Sequence, residues 1–415
     1  MRLSGLSRGI TRNVAALALV SLLTDVSSEM LVYVIPLFLA NVLAVTPSVI
    51  GLIEGTAESV SALLKLASGW LSDRLGRRKV LVGIGYGASV ASKAFYLVAT
   101  SWPMVLIARV GDRLGKGIRT APRDALIADS TDEPYRGRAF GFQRALDTAG
   151  AFLGVLIAVV VVGATEAGAT TLDAATFRTL VTIALVPGVL AVLVIGVGVR
   201  DVRRARQAED TAPAAGSRLA RILAHARQLP APFWLFVAAN TLFSLGNSSD
   251  AFLALRTQNL GVAVRDLLLM IVAFNATNAL VSFPAGVLSD RIGRRAPIAV
   301  AWLIYAASYA GFALATTGGA AAGLWILYGG YYGINEAVGR AFVADVAPAD
   351  LRGSGYGILN FAVAVAVLPA SVIAGVLWDA VSPSATFWFG AACAIAATLV
   401  LGVVRPVRAR QTPTP

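Results

Sequence analysis

The feature that most constrains this chain is a series of apolar blocks, each long enough to cross a bilayer at roughly 20 residues. They are separated by gaps whose basic content alternates between rich and nearly empty. The blocks predict twelve helical spans, at 13–40, 48–71, 80–100, 103–126, 138–163, 178–199, 232–257, 265–288, 297–315, 321–345, 355–379 and 384–404. One set of gaps holds Arg74–Lys79, Arg136–Arg138, Arg200–Arg227, Arg291–Arg295 and Arg352, and the tail adds Arg405, Arg408 and Arg410. The other set, near Ala44, Trp102, Thr170, Gly261, Gly318 and Ser382, is almost free of Lys and Arg. Basic loops stay on the cytoplasmic side. The expectation is therefore a multi-pass protein of the plasma (inner) membrane with both termini in the cytoplasm.

Composition agrees with this class. The chain is 57% hydrophobic and 14% charged, against about 25% charged in soluble domains. So few charges cannot cover the apolar surface of a soluble chain, whereas lipid-facing side chains never meet water. The net charge of +12 does not point to nucleic acid, because the basic residues sit in the gaps between spans. One cysteine, Cys393, and one histidine, His225, leave no basis for a disulfide framework or a metal centre. No Walker loop, H-E-x-x-H motif or fingerprint glycine loop is present, so neither an enzyme nor a cofactor is expected. Arg2, Arg8 and Arg12 before Val14–Leu23 imitate a signal peptide, but the run continues through Asp25 and Glu29 to Ala40, too long for a signal core.

The chain repeats itself. Gly69–Arg78 (GWLSDRLGRR) matches Gly286–Arg295 (GVLSDRIGRR). Asp129, Arg136-Gly137 and Phe140-Gly141 match Asp345, Arg352-Gly353 and Tyr356-Gly357, and Ser27-Ser28-Glu29 matches Ser248-Ser249-Asp250. Three ordered matches at nearly one offset indicate a duplicated six-helix unit. The expected domains are an N-terminal bundle at 1–200, a cytoplasmic linker at 201–230, a C-terminal bundle at 231–404 and a tail at 405–415. The linker is rich in Ala, Arg and Pro, with room for one amphipathic segment around Arg218–Leu229.

The two decapeptides resemble the loop signature G-x-x-x-D-R-x-G-R-R of the major facilitator superfamily (MFS), and both fall between the second and third span of a half. Arg113–Gly117 (RLGKG) resembles the family's R-x-x-q-G element, with Lys116 in place of glutamine. Gly115–Ser130 (GKGIRTAPRDALIADS) looks like an uncharacterised subgroup of bacterial and archaeal permeases. The resemblance covers nearly the whole chain and implies an all-α integral membrane fold of two pseudo-symmetric six-helix bundles, working as a monomer. It implies that spans 1, 4, 7 and 10 line a cavity and that 3, 6, 9 and 12 face lipid. It also implies a gating loop motif of Gly69, Asp73, Arg74, Gly76, Arg77 and Arg78, with Asp73, Arg74 and Arg78 locking the cytoplasmic side, while Arg77 and Lys79 are read as topology anchors. Asp290, Arg291, Gly293 and Arg295 form the second copy. The sequence departs from the family in Gly150–Val155, where Val155 replaces the proline of an antiporter pattern.

Ionised side chains inside a bilayer cost roughly 3 kcal/mol each on insertion scales, and so they mark partners or a wet pathway. In span 4, Arg109, Asp112, Arg113, Lys116, Arg119, Arg123 and Asp124 recur at three- and four-residue spacing. Helical geometry confines them to an arc of about 140°. Span 1 places Asp25, Ser28 and Glu29 on one face, and span 2 places Glu54, Glu58, Ser61 and Lys65. The second half offers Asn240, Ser244, Asn247 and Asp250, then Asn275 and Asn278, then Glu336 and Arg340. On the structural reading, Asp112 neutralises Arg109 or Arg113, Glu336 pairs with Arg340, and Arg119, Arg123 and Asp124 form a gate or anchor near the cytoplasmic end. Lys93 in span 3 breaks the lipid-facing pattern and is expected to snorkel outward or to pair with an acid of span 2. On the functional reading, Asp25 or Glu29 carries a coupling proton with Arg113 as its switch partner.

The expected function is secondary active transport of a small solute by alternating access, coupled to protons. The resemblance ranks antiport-type efflux of an amphiphilic compound first. The five basic residues of span 4 against two acids, together with Val155, support uptake of an organic anion as the alternative. A non-transporting receptor is the third reading, and two retained loop signatures speak against it.

Overall fold

The computed structural model describes residues 9–75, 77–202, 228–346 and 351–404. Side chains are described at all of these except 66–67, 69–71, 73–75, 340–341 and 343–346. Among the described residues the chain is all-α. The first span is split into α1 (Arg12–Val32) and α2 (Val34–Asn41). It is followed by α3 (Pro47–Leu75), α4 (Arg78–Phe95), α5 (Trp102–Asp129), α6 (Arg136–Thr165) and α7 (Ala174–Gly198). The seventh span is split into α8 (Ala231–Gly246) and α9 (Ala251–Asn259). Then come α10 (Val264–Ile292), α11 (Arg295–Leu314), α12 (Gly318–Val346), α13 (Arg352–Ala380) and α14 (Pro383–Val403). His225 and most of the Arg218–Leu229 segment lie outside the described residues.

Local chemistry explains several boundaries. Thr11 caps α1 by accepting from the Val14 N–H at 3.3 Å, and Ser382 caps α14 in the same way from Ala385. The α1–α2 break follows from Pro36, whose ring excludes the carbonyl of Val32 and removes one helical N–H. Pro284 and Pro369 are accommodated within α10 and α13. Eight of the helical stretches are long and apolar enough to cross a membrane. Of the rest, α3 and α5 are diluted by polar and charged residues, while α8 and α9 are each too short because the seventh span is broken between them. The polar and charged residues need protein partners inside the bilayer.

The chain divides into two compact units. The first comprises 1–212 and 250–272, so α9 and the start of α10 pack with the N-terminal bundle. Its apolar core joins Val14, Leu17 and Val20 of α1 to Val82 and Tyr86 of α4, Leu126 and Ile127 of α5, and Ala191 and Ile195 of α7. The second unit comprises 213–249 and 273–415 and has an aromatic centre. There Phe243 stacks on Trp302 at 4.9 Å and Tyr305 stacks on Tyr309 at 4.1 Å. The Tyr305 hydroxyl donates to the Gly246 carbonyl at 2.8 Å, which satisfies a backbone acceptor freed where α8 ends.

Candidate functional site

Burying polar side chains without water requires that each be met by another, and unit 1 meets most of them across helices. Arg109 of α5 makes a two-pronged pair with Glu54 of α3, Nε to Oε1 at 2.9 Å and Nη2 to Oε2 at 2.7 Å. Both side chains are 5% exposed or less. One turn on, Arg113 reaches Glu58 of α3 at 3.0 Å. These partners replace Asp112, which lies on the same helix as the arginines and was expected to neutralise one of them. Asp112 instead faces inward with one carboxylate oxygen, Oδ1, left without a hydrogen-bond partner among the described residues.

Lys93 also departs from expectation. It points into the bundle, is 3% exposed, and donates to the hydroxyls of Ser27 and Ser28 on α1, both at 2.8 Å. Its position follows from the α4–α5 crossing, where Gly85 and Gly115 meet backbone to backbone. A methyl group on Gly85 would come within 2.7 Å of the Gly115 carbonyl. That close approach carries Ser89 and Lys93 of α4 onto the charged face of α5. Arg119 is buried there, its guanidinium 4.3 Å from the Tyr86 ring centre and bonded to Ser89. Arg123 bonds Asp124 at 2.9 Å and Ser21 of α1 at 3.2 Å.

The result is a cavity of about 30 Å³ lined by Asp25, Ser28 and Glu29 of α1, by Lys93 and Tyr96, and by Arg109, Asp112, Arg113, Lys116 and Arg119 of α5. A water needs roughly 10–15 Å³ by this measure, so the cavity admits about two waters and no larger solute in this conformation. Lys116 faces Asp25, Glu29 and Glu58 electrostatically, yet makes no direct ion pair among the described residues. Sequence spacing found Asp25, Glu29 and the α5 series. It singled out Lys93 and Ser28 but not their contact with each other, and it missed Tyr96.

The remaining candidates are more dispersed. Asn240 is half-buried in α8, Asn247 ends α8, and Asp250 precedes α9. Glu336 is exposed on α12, while the side chain of Arg340 lies outside the described residues. Of the first loop signature, the side chains of Gly69, Asp73 and Arg74, and all of Gly76, lie outside them too. Arg77 is exposed, and Arg78 pairs with Asp129 at the end of α5 and donates to the Ala125 carbonyl at 3.2 Å. In the second copy Gly293 adopts φ +83° between α10 and α11. There Asp290 pairs with Arg294 at 3.2 Å, Arg291 is exposed, and Arg295 donates to the Gly402 carbonyl.

A family model described as the Major Facilitator Superfamily matches residues 17–256 and 235–415. The chain belongs to this superfamily. An uncharacterized MFS-type transporter of Methanocaldococcus jannaschii is 32% identical over 400 residues, covering 95% of each chain. Among solved structures, the nucleoside transporter NupG superposes with a TM-score of 0.75 at 12% identity, covering 95% of this chain and 99% of that one. An inward-facing bacterial homolog of the human lysosomal transporter Spinster gives 0.71 at 16% identity, covering 94% of both. At such identities the two structures establish the fold. This MFS protein is thus a multi-pass membrane transporter and not an enzyme.

Proposed function

We propose that this MFS protein is a proton-coupled secondary transporter that takes up a small organic anion by alternating access, with its termini in the cytoplasm. The observation that carries the reading is the state of three basic side chains in unit 1. Lys93, Lys116 and Arg119 line the cavity without a contact ion pair among the described residues. A cation held in a bilayer without a contact partner is costly, and an anionic solute is the partner that recovers that cost. Asp25, Glu29 and Asp112 are the nearby carboxyl groups through which protons act. Protonating any of them removes a competitor for the basic groups, so proton and anion binding reinforce each other. Glu54 and Glu58 hold Arg109 and Arg113 in place. In this reading Asn240, Asn247, Asp250, Glu336 and Arg340 belong to the solute pathway of the second half, and both loop signatures act as gates.

The test is flux into proteoliposomes under pH gradients of either sign, with radiolabelled lactate and succinate as probes and ethidium as the amphiphile. The reading expects an inward proton gradient to accelerate uptake of one of the anions, and Lys116→Gln to abolish that acceleration. Ethidium moving against the proton gradient, with no anion responding, refutes anion uptake and supports efflux.

A further inference from the structure

Two of the gaps nearly free of Lys and Arg, the loop between α6 and α7 and the turn between α9 and α10, are bonded to each other. Each bends at a glycine with positive φ, Gly168 at +81° and Gly261 at +77°. Val264 opens α10, so its N–H is one of the donors that a helix leaves unpaired. The Ala169 carbonyl of the α6–α7 loop takes it at 2.9 Å. Beside it, Gln258 of α9 donates through Nε2 to the Thr170 carbonyl at 2.6 Å. The loop that offers these carbonyls is held in shape by two acids. Glu166 accepts from the Asp173 N–H through Oε1 at 2.8 Å, and its backbone carbonyl accepts from the Ala169 N–H at 3.1 Å. Asp173 accepts from the Thr176 N–H at 2.6 Å, and the Thr176 hydroxyl closes the base of the loop by donating to that of Thr165 at 3.0 Å. The second carboxyl oxygen of Glu166, Oε2, is buried with no hydrogen-bond partner among the described residues.

We propose that the α6–α7 loop is a latch for the α9–α10 turn on the extracytoplasmic face, and that a proton on Glu166 holds the latch shut. The proposal rests on the alternating-access reading above and deepens it, adding a control point outside the cavity. The turn packs in unit 1 while α10 continues into unit 2, so a change of access that carries α10 as one rod breaks the bonds to Ala169 and Thr170. An ionised Glu166 leaves a charged oxygen buried without a partner, which costs far more than a neutral one. Protonation at Oε2 removes the charge and leaves Oε1 able to accept from Asp173, so the loop keeps its shape. Burial accordingly lifts the Glu166 carboxyl above the ordinary range. The latched loop therefore binds a proton more tightly than an opened loop whose carboxylate is solvated. Acid favours the latched form, and that preference is lost as pH rises through the raised value.

The charged groups around the loop do not reverse this direction. Asp173 adds a negative charge beside Glu166, and its own carboxyl is held low by the Thr176 N–H. On α7 the only charged residue is Arg178, in its second turn, and α2 has none. Arg256 sits on α9, and Arg265 and Asp266 begin α10. Arg265 lies over Gly163 of α6, where an added methyl group would come within 3.3 Å of its Cδ. Arg178, Arg265 and Asp266 are exposed, so water weakens their hold on a neighbouring charge.

Spin-label distances in the full chain test this directly. Ala167→Cys on the loop and Asn259→Cys on the turn are both exposed positions, and Cys393→Ser removes the one native cysteine. The labelled protein is reconstituted in liposomes and the distance between labels is measured from pH 4 to pH 8, with the same pH on both sides. The proposal expects one short distance in acid that gives way to a longer, broader distribution, with a midpoint above the ordinary glutamate value near 4. Glu166→Gln keeps the acceptor for Asp173 and carries no charge, so it should hold the short distance throughout. The proposal is overturned if the distribution is the same at every pH while Glu166 is present, or if the transition survives Glu166→Gln. The measurement needs no solute and no gradient, so it stands apart from the outcome of the flux assay.

Discussion

The Arg109–Glu54 pair allows a quantitative test of how unit 1 holds charge. The two side chains share two hydrogen bonds of 2.9 and 2.7 Å and are all but sealed from solvent. Removing one partner strands the other in a medium that cannot solvate it, at about 3–5 kcal/mol. A neutral hydrogen bond between membrane helices averages only about 0.6 kcal/mol in double-mutant cycles, so two such bonds account for about 1 kcal/mol. The two accounts therefore separate cleanly. We expect Glu54→Met and Arg109→Met each to destabilise by at least about 3 kcal/mol. Glu54→Met should be the worse, because a stranded carboxylate escapes by taking up a proton and a stranded guanidinium cannot. The double variant replaces the pair with apolar side chains of similar volume and should lie closer to the unmutated chain than either single variant does. Equilibrium unfolding in mixed micelles, run as a complete double-mutant cycle, measures all four states. Single-variant losses near 1 kcal/mol, or a double loss equal to the sum of the singles, refute the claim that this is a desolvated ion pair.

Two further outcomes follow from local geometry. Gly154→Val forces methyl groups onto the Val26 and Asp25 carbonyls and should cost about 1–3 kcal/mol in the same unfolding assay, whereas Gly141→Ala, with open space around it, should cost little. Asp173 caps α7 by accepting from the Thr176 N–H at 2.6 Å, and that backbone bond holds its carboxyl below the ordinary carboxylate range. Asp173→Ala should therefore cost about 1 kcal/mol. Because the folded value is the lowered one, that contribution is complete above the ordinary value near 4 and disappears as pH falls through the folded value. Thermal unfolding of the two proteins should thus differ at neutral pH and converge only in strong acid.

The spans were legible because hydropathy at a period set by bilayer thickness leaves few alternatives, and the duplicated loop decapeptides placed them in order. The charged face of α5 was legible because three- and four-residue spacing survives translation into a helix. What spacing could not reveal was who faces whom across helices. Asp112 is the nearest acid to Arg109 in the sequence, yet Glu54 of another helix takes the arginine. Lys93 read as a lipid-facing exception because nothing along span 3 announces Ser27 and Ser28.

The two units, though built from matching sequence elements, divide the chemistry unequally. Every fully buried charged side chain among the described residues, namely Glu54, Lys93, Arg109, Asp112, Arg113 and Arg119, belongs to unit 1. The corresponding interior of unit 2 is filled by Trp302, Tyr305, Tyr309, Tyr328 and Tyr331. Its hydroxyls are tied to neighbours, Tyr305 to the Gly246 carbonyl and Tyr309 to Ser248 at 3.4 Å. Stacked aromatic rings keep their charge state over the range in which carboxyl groups titrate. They also pack at low entropic cost because each has few rotatable bonds. On the proposed reading, a proton arriving in unit 1 changes the balance between buried carboxyl groups and three basic side chains that lack contact ion pairs, whereas the interior of unit 2 holds no buried carboxyl group among the described residues. The proton-coupled reading proposed above therefore expects any dependence of transport on pH to follow the first unit. Exchanging the cavity-lining groups of α1, α4 and α5 should move it, while conservative changes among the aromatic residues of unit 2 should alter stability and leave the pH profile in place.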